Sequence, residues 1–86
     1  MMWLEHVQQL IPPGYTAENR GSDHVIVIHC STIGGVTIDF QRRAYALGYG
    51  FSAARAVNAT KYTGRGWSQR VVRDAVRALE ACRRRA

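Results

Sequence analysis

Residues 24–30, His-Val-Ile-Val-Ile-His-Cys, narrow the possible folds of this chain more than any other segment. Four β-branched residues in succession are stiff at χ1, and a run that is apolar on both faces belongs inside a sheet rather than at its margin. The flanks agree with that reading. Arg20-Gly21-Ser22-Asp23 is turn chemistry, with a glycine that tolerates positive φ and side chains that bond local amides. Ser31 to Gly35 form a loop ending in a Gly-Gly pair, and Val36-Thr37-Ile38-Asp39-Phe40 alternates as a strand should. Tyr15 to Asn19 reads as a first, shorter strand. Residues 15–40 are therefore expected to form a two- or three-stranded antiparallel meander.

Helices are expected on either side of it. Trp3, Val7, Leu10 and Ile11 recur at helical spacing over residues 2–11, and Pro12-Pro13-Gly14 ends that run. Near the other end, Ser68 suits an N-cap, and Gln69 to Arg84 contains neither glycine nor proline. At about 100° per residue, Val72, Ala75, Val76, Leu79 and Cys82 fall on one side, with Arg70, Arg73, Arg77 and Arg84 nearly opposite. Between these regions, Asp39 is placed to cap a short helix from Phe40 to Leu47 closed by Gly48, and Ser52 another from Ala53 to Ala59. Arg43–Tyr49 also alternates well enough to continue the preceding strand, but alanine and arginine favour helix. The sum is one small α+β domain over 1–86, with C-terminal helices packed on one face of the sheet and a basic tail at 83–86.

Charge divides the chain unevenly. Residues 1–40 hold one basic residue against four acids, a net of −3, while residues 41–86 hold eleven against two, a net of +9. Ten of those eleven are arginine, whose planar fork matches phosphate. A polyanion is the expected partner, with nucleic acid first and an acidic protein as an alternative. No stretch approaches the roughly 20 apolar residues that a membrane helix needs. Met-Met-Trp-Leu-Glu-His lacks the basic and apolar blocks of a signal peptide, so no membrane association and a cytoplasmic location are expected. Cys30 and Cys82 make no CxxC pair and are expected to be reduced, buried thiols. A zinc site from His24, His29, Cys30 and Cys82 would require ligation by the adjacent His29 and Cys30, which is not a usual spacing, so no metal or cofactor is expected.

Several residues carry candidate chemistry. Arg70, Arg73 and Arg77 are like-charge neighbours on one helix face, with only Asp74 and Glu80 nearby to offset them. They read either as a solvated face or as a phosphate-binding ridge. Tyr62-Thr63-Gly64-Arg65-Gly66-Trp67-Ser68 exposes backbone amides at the start of a helix, where an anion is favoured. Arg65 would reach a phosphate there, and Trp67 would either stack on a base or pack beneath the helix. His24 stands at the mouth of the central strand, placed for backbone contact or for proton transfer. His29 should face the other side of the sheet, so the two are not a catalytic pair.

Taken in order, these motifs resemble those of double-stranded-RNA-binding domains. The Glu-x-x-Gln of that family's first helix is matched by Glu5 and Gln8, and its Pro-x-Tyr by Pro13 and Tyr15. Gly21-Ser22-Asp23-His24 stands where its β1–β2 loop would be, without the usual proline. Gly64-Arg65-Gly66-Trp67-Ser68-Gln69-Arg70 takes the place of Gly-x-Gly-x-Ser-Lys-Lys, after a longer intervening stretch than is usual. The resemblance covers about two thirds of the chain. It implies that the first helix and the Gly21–His24 loop touch successive minor grooves while the start of the last helix grips phosphates across the major groove. RNA is thereby favoured over DNA, with Gln8 and His24 on sugar edges. A second resemblance is to small HicA-type toxin ribonucleases. Gly14-Tyr15 and Gly21-Ser22-Asp23-His24 are similar to their Gly-aromatic and Gly-Ser-His-His signature, and the similarity would make His24 catalytic in an endoribonuclease. A third reading takes residues 40–84 as three helices of a helix-turn-helix DNA binder, although the paired glycines of Gly64–Gly66 count against a recognition helix starting there.

Overall fold

The structure of the protein, a computed structural model, describes residues 3–21, 23–30, 34–49 and 62–85. Helix α1 (Trp3–Leu10) leads into four strands, β1 (Tyr15–Asn19), β2 (His24–His29), β3 (Gly35–Asp39) and β4 (Ala44–Leu47), and helix α2 (Trp67–Arg85) follows. The strands form one antiparallel sheet in the order β1-β2-β3-β4. The fold is α+β as expected, but the sheet has four strands rather than two or three.

The expected start and end of α1 hold. The Ile11 amide still bonds the Val7 carbonyl, and the chain then turns through Pro12 and Gly14, whose φ of 91° suits only glycine. β2 and β3 pair with Val25 opposite Ile38 and Val27 opposite Val36, which sets one face of the meander. That face forms a single core with Val7 of α1 and with Val71, Val72, Ala75 and Leu79 of α2. α1 lies against β1 and β2, α2 against β3 and β4, and the two helices touch. Each fully buried Val, Ile or Leu in such a core contributes about 1.5–3 kcal/mol. On the opposite face Ile26, Thr37, Ala44 and Ala46 are buried as well.

The helix expected from Phe40 to Leu47 is a turn followed by a strand. Asp39 does cap the backbone, since its Oδ1 accepts the amides of Gln41 at 2.9 Å and Arg42 at 3.1 Å. Arg43 then adopts a left-handed conformation (φ 54°), which reverses the chain instead of propagating a helix. Ala44 and Ala46 pair beside Asp39 and Thr37, while Tyr45 joins the helix-side core. Sheet pairing and burial outweigh the helix preference of alanine. The strand also removes the first of the three helices that a helix-turn-helix arrangement over 40–84 requires. The helix expected at Ala53–Ala59 lies outside the described residues.

Two smaller expectations change. Gly66, not Ser68, caps α2: its carbonyl accepts the Arg70 amide at 3.1 Å, and Ser68 sits in the first turn. Cys30 and Cys82 are free but exposed rather than buried. Cys30 lies just beyond the end of β2, and Cys82 lies beyond Leu79, the last residue of α2 in the core. Among the described residues no helix is long and apolar enough to cross a membrane.

Candidate nucleic-acid interface

Helix α2 turns Val71, Val72, Ala75 and Leu79 inward, and the 3.6-residue period therefore places Arg70, Arg73, Arg77 and Arg84 outward, where all four are exposed. Its two acids are committed elsewhere. Asp74 accepts a 2.6 Å hydrogen bond from the Tyr62 hydroxyl. Burial first, and this carboxylate second, push the Tyr62 phenol well above its ordinary range. Burial and the Asp74 charge raise Tyr45 as well. Glu80 binds the Arg83 guanidinium at 2.5 and 3.0 Å, lies 3.4 Å from Arg84 Nε, and accepts the Tyr15 hydroxyl. The Arg83 hydrogen bond, followed by that from Tyr15, lowers the Glu80 carboxyl to about 2. Arg73 and Arg77 have no ion pair among the described residues. They stand one turn apart, about 6 Å along the axis.

The glycine-rich turn before α2 has a defined shape. Gly64 and Gly66 have φ near 78° and 79°, and Arg65 between them is exposed. The Arg70 guanidinium folds back to donate to the carbonyls of Arg65, at 2.6 Å, and Thr63. This clamp fixes a positive charge beside the positive end of a helix dipole, an arrangement that an incoming anion relieves.

Trp67 is half-buried, with its ring centroid 5.8 Å from Trp3 and 6.2 Å from Phe40. Trp3 and Phe40 are stacked at 4.2 Å with an interplanar angle of 2°. Trp67 thus packs against the core, and the Arg43 guanidinium lies 4.3 Å from its ring centroid.

His24 occupies the face of the sheet opposite the helices. Its Nε2 lies 2.9 Å from Asp39 Oδ2, across the β2–β3 pair. The Asp39 side chain is 4% exposed against 37% for His24, and Arg42 Nε approaches the same carboxylate at 3.7 Å. His29 lies on the helix side, edge-on to Tyr15 at 4.6 Å, so the two histidines face apart. Gln8 is exposed on α1, in a shallow groove with Ile11, Pro12, Tyr15 and Thr16. It stands toward the Tyr15–His29 end of the sheet, whereas His24 stands at the other. The structure brings together the end of β3, the 40–43 turn and the start of α2, but it does not join Gln8 to His24. No group of three metal-ligating side chains occurs among the described residues.

Sequence reasoning missed Asp39, Arg42 and Arg43. Asp39 had a signal, because a β2–β3 hairpin pairs one of its residues with His24, but the loop between the strands left the register open. Comparison with known proteins found no matching family, no matching curated protein and no matching solved structure.

Proposed function

We propose that this protein is a nucleic-acid-binding module, taking duplex RNA in preference to DNA through the outer face of α2 and the Gly64–Gly66 turn. The observation that carries the reading is the pair Arg73 and Arg77, exposed one turn apart on a helix whose own acids are bonded elsewhere. Arg65 and the clamped Arg70 extend that charge to the helix start. The preference for RNA rests on the helix–sheet–helix order, with both helices sharing the core on one face, and on the motif resemblance to double-stranded-RNA-binding domains. The fourth strand departs from the expected pattern. His24 and Gln8, at different ends of the sheet, would contact separate parts of a long duplex.

Binding to duplex RNA, duplex DNA and single strands over a range of salt tests this. Affinity should fall linearly on a log–log scale, and Arg73→Ala with Arg77→Ala together should reduce the slope by about two. Salt-insensitive binding, or none to any probe, overturns the proposal.

The contact between His24 and Asp39 favours one second reading, an endoribonuclease. A buried carboxylate against an imidazole fixes the orientation of the ring, as general acid–base catalysis requires. Cleavage of single-stranded RNA that is lost in His24→Ala with binding retained would establish it. Absence of cleavage by the unaltered protein removes it.

A further inference from the structure

Arg43 occupies a position that its own side chain disfavours. A φ of 54° is the left-handed region, where glycine or asparagine is the ordinary occupant. The strain is accompanied by a specific placement: the guanidinium lies 4.3 Å from the centroid of Trp67, the first residue of α2, and Arg43 is exposed. Trp67 is itself held by Trp3 and Phe40. A cation therefore lies over an indole that is packed against the core, and Arg43 is exposed as a residue. It stands at the N-terminal end of α2, the helix that carries Arg73, Arg77 and Arg84.

We infer that the Arg43–Trp67 stack is a platform for one unpaired nucleobase, so that the preferred ligand is RNA in which a stem adjoins an unpaired nucleotide. This rests on the nucleic-acid reading above and specifies its substrate. Duplex bases hide their faces in the stack, whereas a loop or bulge base offers one to a guanidinium plane. The ridge takes stem phosphates, which carry no such face, and the platform takes the base beside them. Arg42, adjacent in sequence and turned toward Asp39, adds charge on the same turn.

The test compares an RNA hairpin with a blunt duplex of the same stem, using the full chain as wild type, Arg43→Gly and Arg43→Lys. Glycine accepts the backbone angle without strain, so Arg43→Gly should keep its melting temperature within a few degrees of wild type. Its affinity for the hairpin should fall about tenfold while the blunt duplex changes much less. Arg43→Lys should retain the salt dependence but lose most of the hairpin preference. Aminopurine in the loop should be quenched by wild type and not by Arg43→Gly. Equal hairpin and duplex binding by wild type, or a hairpin preference that survives Arg43→Gly, overturns this inference while leaving the nucleic-acid reading intact. Failure of wild type to bind either RNA in a salt-dependent way overturns both.

Discussion

Asp39→Ala removes the group that turns β3 into β4. One oxygen of Asp39 accepts the Gln41 and Arg42 amides, and the other faces His24 Nε2 at 2.9 Å. Each backbone bond is worth about 0.5–1.5 kcal/mol net, and the exposed turn puts both near the lower half of that range because water replaces the lost acceptor. The His24 contact is partly solvated and adds at most about 1 kcal/mol. The expected loss is about 1–3 kcal/mol, which lowers the melting temperature by roughly 5–20 °C in a domain of this size. Asp39→Asn keeps an oxygen for the two amides and should lose only about 1 kcal/mol. Urea titrations followed by circular dichroism would show the midpoint shifting with an unchanged slope. A loss below 1 kcal/mol for Asp39→Ala, or equal losses for both variants, would refute the assignment of the reversal to this carboxylate.

The other predictions concern separate parts of the molecule. A Cβ at Gly35 would lie 2.6 Å from the Val27 carbonyl oxygen, so Gly35→Ala should cost about 2 kcal/mol or more, measured by thermal melting. Glu80, lowered to about 2 from an ordinary 4.5, favours the folded state fully above the unfolded value. Its contribution is lost as pH falls from 4.5 toward 2, and Glu80→Gln should remove that part of the acid-unfolding curve. Tyr15, Tyr45 and Tyr62 have phenols raised above 10, chiefly by burial, so ultraviolet titration of the folded protein should find them ionising at higher pH than a free phenol, Tyr62 last. The matching stability is present below pH 10 and declines as pH rises through the folded values. Tyr62→Phe takes one hydrogen bond from Asp74 and should cost about 1 kcal/mol.

The elements readable in the sequence were those whose pattern and punctuation agreed. Proline and glycine closed α1, the β-branched run fixed β2, and the arginine phase of α2 placed Arg73 and Arg77 outward, as the structure has them. At β4 the local signals conflict, since Arg43–Tyr49 alternates like a strand while its cap and composition favour helix. Asp39 does bond the Gln41 and Arg42 amides as a helix cap would, and two alanines favour helix. What decides the matter is the left-handed Arg43, a backbone state that no rule assigns to arginine. The same residue explains why the Trp67 stack was not foreseen, since it arises only once the 40–43 turn meets the start of α2. The commitments of Arg70 to two turn carbonyls and of Asp74 to Tyr62 were likewise invisible, because helical spacing ranks neighbours on one element and says nothing of partners from another.

The way α2 completes the core also governs how the chain acquires its fold during synthesis. The meander is translated by Leu47 and α1 already covers β1 and β2, yet the inner face of β3 and β4, with Val36, Ile38 and Tyr45, stays open until Val71, Val72, Ala75 and Leu79 emerge much later. A nascent sheet with an uncovered apolar face is prone to association. Ribosomes that stall or terminate before α2 would therefore release a product that aggregates. The helix that carries the arginines is the one the chain needs to leave the ribosome folded.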